Sequence, residues 1–182
     1  MQTDPDELFD EVDANDNILR PLPRKIIHQN RLRHRAVHAI FFDAESKFIL
    51  LQKRSAKKDS YPLAYTTSCS GHVDSGETYE AALLRETAEE LGVSLPLEKF
   101  LRIGKVEACA ETGFEFTKVY ACFVDIQTKF NPPADEVQSL DWRKISDFEL
   151  DAQKNPQNYT PSFLKVYKFY LENKSAAQKN VL

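Results

Sequence analysis

The segment from Gly71 to Val93 carries three carboxylates at helical spacing, and this arrangement constrains the fold more than any other feature. Thr78 can cap a helix at its start, and Gly92 can end it. On a wheel at about 100° per residue, an apolar stripe falls almost opposite the glutamates. The stripe is Ala81, Leu84, Ala88 and Leu91, and the glutamates are Glu86, Glu89 and Glu90. The pattern predicts a helix that buries the stripe and presents the carboxylates on its other face.

Three carboxylates on one helix face repel each other. Such a cluster is stable if solvent screens it or if a cation neutralises it. A hard divalent ion such as Mg²⁺ takes oxygen ligands of this kind. The cluster therefore indicates a cation site, with a solvated helix face as the alternative.

The composition favours one domain with a substantial core, since 42% of the 182 residues are hydrophobic and 29% are charged. A formal net charge of -4 gives no electrostatic reason to expect nucleic acid or an anionic membrane as partner. The acidic N-terminus lacks the apolar stretch of a signal peptide, and no window approaches the length of a membrane span. Cys69, Cys109 and Cys122 form no CxxC pair, so we expect no disulfide framework and a cytoplasmic location.

Outside this helix, the sequence predicts strands interspersed with helices. The expected core strands lie at residues 35–42, 48–52, 101–110, 114–126 and 140–142. The first two of these would form a hairpin. Further helices are expected at residues 145–153 and 161–173. This order favours an α/β or α+β sandwich.

The chain is expected to divide into an extension, a domain and a tail. Residues 7–20 are typical of two short strands around a turn, so residues 1–33 would pack on the domain as a hairpin extension. Residues 34–175 would form the domain, and residues 176–182 a flexible tail. The exposed face of the hairpin is compatible with a homodimer, and a monomer is equally compatible.

The spacing G-x5-E-x7-R-E-x-x-E-E-x-G-V runs from Gly71 to Val93 and is identified as a Nudix box. Thr87 is the one departure, at a position where that family usually has an aliphatic residue. The resemblance implies an α/β/α sandwich with a central mixed sheet. It also implies a hydrolase that cleaves a diphosphate linkage in a nucleoside diphosphate derivative or a related small organic diphosphate, with Mg²⁺ or Mn²⁺ as cofactor.

The resemblance implies particular roles for residues of the box. Arg85 and Glu77 would support and orient the helix. The implied metal ligands are Glu86, Glu89, Glu90 and the backbone carbonyl of Gly71.

A proton acceptor and substrate contacts are also expected. Glu89 or Glu90 could take the proton of an attacking water, and Glu136 in a later loop is the weaker candidate. Arg54 follows a core strand, and its forked guanidinium matches phosphate oxygens. His72 would be either a substrate contact or a turn residue.

A longer part of the chain resembles type I isopentenyl diphosphate isomerase, which shares the Nudix fold. The similar stretches are HRAVHAIFFDAESKFILLQKRS, TTSCSGHVDSGE and DEVQSLDW. Those isomerases need a cysteine before the Gly-His pair, metal-binding histidines and a later pair of glutamates. His34 and His72 match two of the histidines, and His28 could match another with a gap of one residue.

The chain departs from the isomerase pattern at two places. Ser70 stands at the cysteine position, with Cys69 one residue early. The glutamate pair falls near Phe116 and Lys118, with Glu115 only close by. A hydroxyl is a weaker acid than a thiol and lysine cannot ligate a cation, so a hydrolase is preferred. An isomerase and a non-catalytic binding module are the alternatives.

Histidines and cysteines inside apolar stretches are expected to be structural. This applies to His34 and His38, and to Cys69 and Cys122 as core residues.

Overall fold

The computed structural model describes residues 7–179. Its N-terminal part is a two-stranded antiparallel sheet followed by a short helix. These elements are β1 (Leu8–Val12), β2 (Ile18–Pro23) and α1 (Arg24–Gln29). In the turn between the strands, the Asp13 carboxylate accepts backbone hydrogen bonds from Asn15 and Asn17. The hairpin expected in this region is therefore confirmed.

Seven strands form the central sheet. They are β3 (His34–Asp43), β4 (Phe48–Arg54), β5 (Tyr65–Thr66), β6 (Cys69–His72), β7 (Phe100–Val106), β8 (Glu115–Val124) and β9 (Val137–Lys144). The order is β5-β4-β3-β8-β7, while β6 pairs with β3 and β9 pairs with β4. Strands β3 and β8 run parallel and the other pairs are antiparallel, so the sheet is mixed, as expected.

Strand β6 lies where the hairpin of β3 and β4 opens. The hairpin is paired only at Phe41–Leu50 and Phe42–Ile49. Further toward the start of β3, its residues 36–39 pair with β6 instead. Since side chains alternate along a strand, His72 and Gly71 belong to opposite faces of the sheet. This short strand therefore contributes to both sides of the molecule.

Helices cover both faces of the sheet. They are α2 (Tyr79–Leu91), α3 (Ile145–Lys154) and α4 (Pro161–Lys179). Buried residues of α2 pack with Val37, Ala39 and Phe41 of β3. Buried residues of α3 and α4 pack with Ile40 and Phe42, on the opposite face of the same strand. The layers form the expected α/β/α sandwich.

The last helix is longer than predicted. It continues past residue 173, and past the expected start of the tail at residue 176, to Lys179. The remaining part of that tail, residues 180–182, lies outside the described residues. Within residues 7–179, no helix has both the length and the apolar character needed to cross a membrane.

The termini of α2 follow the prediction, but its buried face does not. Thr78 accepts a hydrogen bond from the backbone N–H of Ala81, and Gly92 ends the helix in the left-handed region at φ 68°. Ala81 and Ala88 of the predicted stripe are exposed. The buried residues are instead Tyr79, Ala82, Leu83, Thr87, Glu90 and Leu91. On the wheel, Glu90 lies about 60° from Thr87, so burying the Leu83–Thr87–Leu91 side carries Glu90 inward with it.

Candidate active site

Arg85 joins the carboxylates of the box to one another. Its Nε and Nη2 donate to the two oxygens of Glu77 over 3.1 and 2.9 Å. Its Nη1 lies 2.7 Å from Glu86 Oε1 and 3.2 Å from Glu89 Oε2. Nη2 also donates to the backbone carbonyl of His72. The guanidinium therefore links α2 to the end of β6.

Glu86 lies directly beneath Gly71. A Cβ atom at Gly71 would come within 1.9 Å of Glu86 Cδ, so only glycine leaves room for this carboxylate. Burial, followed by the charge of Glu90, raises the pKa of Glu86 well above its usual value, and Arg85 only partly opposes the rise. A positive charge added beside Glu86 would therefore stabilise the ionised form of this carboxylate.

Glu90 is buried and accepts two hydrogen bonds. Its Oε2 receives the backbone N–H of Ser70 at 2.9 Å and the side-chain amide of Gln52 at 3.0 Å. Burial raises its pKa despite the hydrogen bond from Ser70. Glu89, by contrast, keeps 57% of its side chain exposed. The prediction that all three carboxylates lie on a presented face is therefore wrong for Glu90, which Gln52 and Ser70 hold in the interior.

Glu136 and Arg54 lie at the edge of the carboxylate cluster. Lys58 Nζ is 3.6 Å from a carboxylate oxygen of Glu136, and the charges of both residues act on Glu90. Arg54 donates to the backbone carbonyl and the hydroxyl of Ser60, in the loop that follows β4. Burial lowers the pKa of Arg54, while Glu90 and other carboxylates oppose that effect. Arg54 therefore holds its own loop and faces the same carboxylates.

A second cluster lies on the other face of β6. Ligand atoms of His28, His34 and His72 all lie within 4.8 Å of one another. Glu115 Oε1 is 3.1 Å from His72 Nε2 and 3.6 Å from His34 Nε2. His34 Nδ1 contacts the backbone carbonyl of Leu32 at 3.0 Å, while its Nε2 is buried without a hydrogen-bond partner among the described residues. Three imidazoles and a carboxylate are a donor set that fits a transition-metal ion or Zn²⁺.

His28 and His72 favour the neutral form that metal binding requires. Burial lowers the pKa of His28 to about 3, and the neighbouring His72, His34 and Arg24 act in the same direction. Burial also lowers the pKa of His72, although Glu115 opposes it. For Glu115, burial would raise the pKa, but its contacts with His34 and His72 outweigh burial and lower it.

A cavity of about 380 Å³ opens beside His28. It is lined by His28, Arg31, Ala110, Gly113 and Phe114. Both Arg31 and Phe114 have positive φ angles, of 53° and 67°, which non-glycine residues seldom adopt. Of the histidine cluster, only the exposed His28 borders this cavity.

The N-terminal hairpin is fastened to the domain next to both clusters. Asp10 accepts from the Ser75 hydroxyl at 2.7 Å and from the Gly76 backbone N–H at 3.2 Å. Asp16 accepts from Arg35 Nε at 2.7 Å, and Tyr79 and Lys105 also donate to it. The extension therefore packs on the box through two carboxylates.

The structure brings together most of the predicted site residues. Those near the box are Arg85, Glu86, Glu89, Glu90 and Gly71, with Glu136 and Arg54 at the edge. His72 instead belongs to the histidine cluster. Sequence reasoning missed Gln52, Lys58 and Arg24.

Glu115 and His34 both lie in the histidine cluster. Glu115, next to the place where the isomerase glutamates were expected, supplies the carboxylate on this strand. His34 is buried, as expected of a structural histidine, and is also a member of the cluster. Glu115 could be seen in the sequence close to the expected glutamate positions. That it lies opposite His34 follows only from the pairing of β3 with β8.

The other buried histidine and cysteines follow the expectation. His38 is buried and its Nδ1 contacts the Thr67 hydroxyl at 2.9 Å. Cys69 and Cys122 are buried free thiols, and burial raises the pKa of Cys69 well above its usual value. Cys69 lies in the apolar cluster under α2, on the face of the sheet opposite the histidines. Its thiol is therefore not part of the histidine cluster.

The comparisons with known proteins place the chain in a family. The model of the NUDIX domain matches residues 32–163. A prenyl-diphosphate phosphatase from Methanosarcina mazei is 32% identical over 167 residues, which cover 88% of this chain and 95% of the relative. An isopentenyl-diphosphate Delta-isomerase from Serratia proteamaculans is 31% identical over 165 residues, covering 90% of each chain.

A solved structure has a similar fold. The crystal structure of DR0079 from Deinococcus radiodurans superposes with a TM-score of 0.70 at 24% identity. The match covers 82% of this chain and 90% of that one. At this identity the likeness supports the fold alone.

Proposed function

The chain belongs to the Nudix family, and we propose that it is a divalent-metal-dependent hydrolase of a small organic diphosphate. Prenyl diphosphates are the substrate class to test first, because the Methanosarcina mazei relative is named a prenyl-diphosphate phosphatase. The observation that carries the proposal is the carboxylate cluster of Glu86, Glu89 and Glu90 around Gly71.

These residues fit a divalent cation. Glu90 is buried and Glu86 half-buried, the pKa values of both are raised, and the lack of a side chain at Gly71 leaves room for Glu86. The donors are hard oxygens, which suit Mg²⁺ or Mn²⁺. A cation bound there would neutralise diphosphate oxygens and acidify a water molecule.

Residues of this chain would then accept the proton and position the carboxylates. Glu89 is the exposed carboxylate and is our candidate for accepting the proton of the attacking water, with Glu136 as the alternative. Arg85 holds Glu86 and Glu89 in place. The water oxygen joins one phosphorus as the bridging P–O bond breaks, so a prenyl diphosphate would yield inorganic phosphate and a prenyl monophosphate.

Three cations could bind the diphosphate oxygens. Arg54 ends β4 and Lys58 follows it, and the charges of both interact with Glu90. Arg24 is close enough to lower the pKa of His72 and Arg54. We assign Arg54 the first phosphate contact because its guanidinium can bind two oxygens at once. The histidine cluster would hold a second, softer ion beside the same strand.

The histidine cluster also favours a second function, the isomerisation of isopentenyl diphosphate. Its three histidines and Glu115 supply part of what the isomerase resemblance requires. Ser70 replaces the required cysteine, and Cys69 lies on the opposite face of the sheet. An acid stronger than a hydroxyl is therefore missing at that position.

The proposal is tested by assaying the full chain with isopentenyl, geranyl and farnesyl diphosphates and with nucleoside diphosphate derivatives. Each is assayed with Mg²⁺ and with EDTA, and phosphate release and the organic product are both measured. Glu89→Gln should lower hydrolysis by at least about a hundredfold. Glu98→Gln, which changes an exposed glutamate away from the box, is the matched control.

Two results would decide against the hydrolase. One is hydrolysis that is unchanged in EDTA, since the proposed reaction needs a divalent metal; hydrolysis unchanged only in Glu89→Gln would instead make Glu136 the proton acceptor. The other is conversion of isopentenyl diphosphate to its isomer without phosphate release, which would favour the second function.

A further inference from the structure

Phe9, on the N-terminal hairpin, packs against all three rings of the histidine cluster. Its ring centroid is 4.5 Å from that of His72, 5.9 Å from that of His34 and 6.1 Å from that of His28. The planes of Phe9 and His34 are parallel within 1°. Phe9 is fully buried. We infer that Phe9 is a positioning residue that sets the imidazole orientations for metal binding, an inference that rests on the second ion proposed above.

The histidine rings need such a contact because the torsion that turns an imidazole is broad. A hydrogen bond can fix it, and two of the three rings have one. His34 contacts the carbonyl of Leu32, and His72 contacts Glu115. His28 is exposed, and its side chain makes ring contacts with Phe9, His34 and His72 but no side-chain hydrogen bond within residues 7–179. The ring of Phe9 therefore restricts the His28 imidazole on its buried side.

The backbone holds Phe9 firmly in this position. Phe9 forms a β-bridge with Asp74, two residues after His72. The N–H of Ser75 donates to the carbonyl of Leu8 at 2.8 Å. Asp10 receives two further hydrogen bonds from the same loop. Because Phe9 is tied to the segment that follows His72, the ring and the imidazole keep a constant relation.

The hairpin therefore does more than cover the domain. It supplies one wall of the histidine cluster, on the side where Phe9 excludes water. Residues that orient metal ligands without touching the metal change metal affinity by about 10- to 100-fold when they are removed. Replacing the flat ring by a branched aliphatic side chain keeps the apolar volume and removes the stacking surface.

The test measures Co²⁺ binding by the full chain, using Co²⁺ alone as the probe. The absorption that is lost in His34→Ala defines the signal of the histidine cluster and separates it from ions at the box. Phe9→Leu should weaken that binding by about tenfold or more and change the shape of the absorption band. Phe163→Leu is the matched control, since it alters another fully buried phenylalanine within α4, and it should leave the signal unchanged.

Several results would overturn the inference. One is Phe9→Leu with the parental Co²⁺ affinity and band shape, and another is an equal change in Phe163→Leu. If Phe9→Leu does not fold, Phe9→Met takes its place, because an unbranched side chain adapts to the same space. A parent protein without a histidine-dependent Co²⁺ signal also overturns it, while phosphate release in Mg²⁺ tests the hydrolase separately.

Discussion

The Glu86 carboxylate lies where the side chain of any residue larger than Gly71 would be. A Cβ atom on Gly71 would lie 1.9 Å from Cδ and 2.0 Å from Oε1 of Glu86. Carbon and oxygen atoms cannot approach so closely, so the strand or the carboxylate would have to move. The absence of a side chain at residue 71 therefore fixes where the Glu86 carboxylate lies.

Gly71→Ala should abolish most hydrolysis while leaving the fold intact. Displacing a reacting group by about 1 Å can cost about a hundredfold in rate, and we expect at least that loss. The measurement is Mg²⁺-dependent phosphate release, with circular dichroism to check folding. Ser94→Ala, at an exposed position just after α2, is the control. An active Gly71→Ala enzyme would show that Glu86 is not needed in this position.

Arg85→Lys should raise the Mg²⁺ concentration needed for half-maximal activity. Lysine keeps the positive charge but has no fork to bind Glu77 and Glu86 together. We expect kcat to fall by about tenfold or more, since the carboxylates lose their shared partner. Titration with Mg²⁺ measures both changes. The exposed Arg102 provides the control Arg102→Lys, and equal behaviour of the two variants would argue against an orienting role.

Asp16→Asn should loosen the N-terminal hairpin. Burial would raise the pKa of Asp16, but Lys105 and Arg35 outweigh it and lower the pKa below 3.8. The ionised carboxylate therefore stabilises the fold above about pH 4, and this contribution is lost as pH falls through the folded-state pKa. At pH 7 we expect the variant to lose about 2 kcal/mol, measured by urea unfolding.

The same experiment at lower pH provides the check. The difference between the parent and Asp16→Asn should shrink below pH 4, where the parent becomes protonated. Asp59→Asn, at an exposed carboxylate, should change stability little at any pH. A difference that is constant with pH would mean that the charge of Asp16 does not contribute.

His38→Gln should flatten the dependence of stability on pH. Burial lowers the pKa of His38 to about 4, from 6.5 in the unfolded chain. Between these values the unfolded state binds a proton that the folded state refuses, so the free energy of unfolding falls as pH falls. This costs the parent about 1.4 kcal/mol for each pH unit over that interval. Urea unfolding at pH 6.5, 5.5 and 4.5 measures the slope, and parallel slopes would contradict the assignment.

The sequence predicted those features of the fold that depend on neighbouring residues. Thr78 and Gly92 mark the ends of α2 because capping involves residues only a few positions apart. Five strands of the central sheet were predicted from apolar runs, although β9 was predicted too short, and β6 was not predicted. The face of α2 that is buried could not be predicted in this way. It depends on where β3 and β6 lie, and on the hydrogen bonds that allow Glu90 to be buried.

The contact between His34 and Glu115 in the histidine cluster could not be predicted from the sequence. His34 and Glu115 are far apart in the chain, and parallel pairing of β3 with β8 brings them together. No turn connects parallel strands directly, so the sequence contains no local signal of their register. A shift of one residue would have set Phe116 opposite His34 instead. The glutamate was therefore placed near the cluster but not in it.

Strand β6 has a consequence for how the chain can vary in evolution. Its four residues face the carboxylates and the histidines by turns, with Gly71 under Glu86 and His72 beside Glu115. Inserting or deleting a single residue here would exchange the two faces and disable both clusters at once. Loops such as residues 125–136 have no such restriction. Length changes among functional descendants of this protein should therefore accumulate in those loops and be absent between Cys69 and His72.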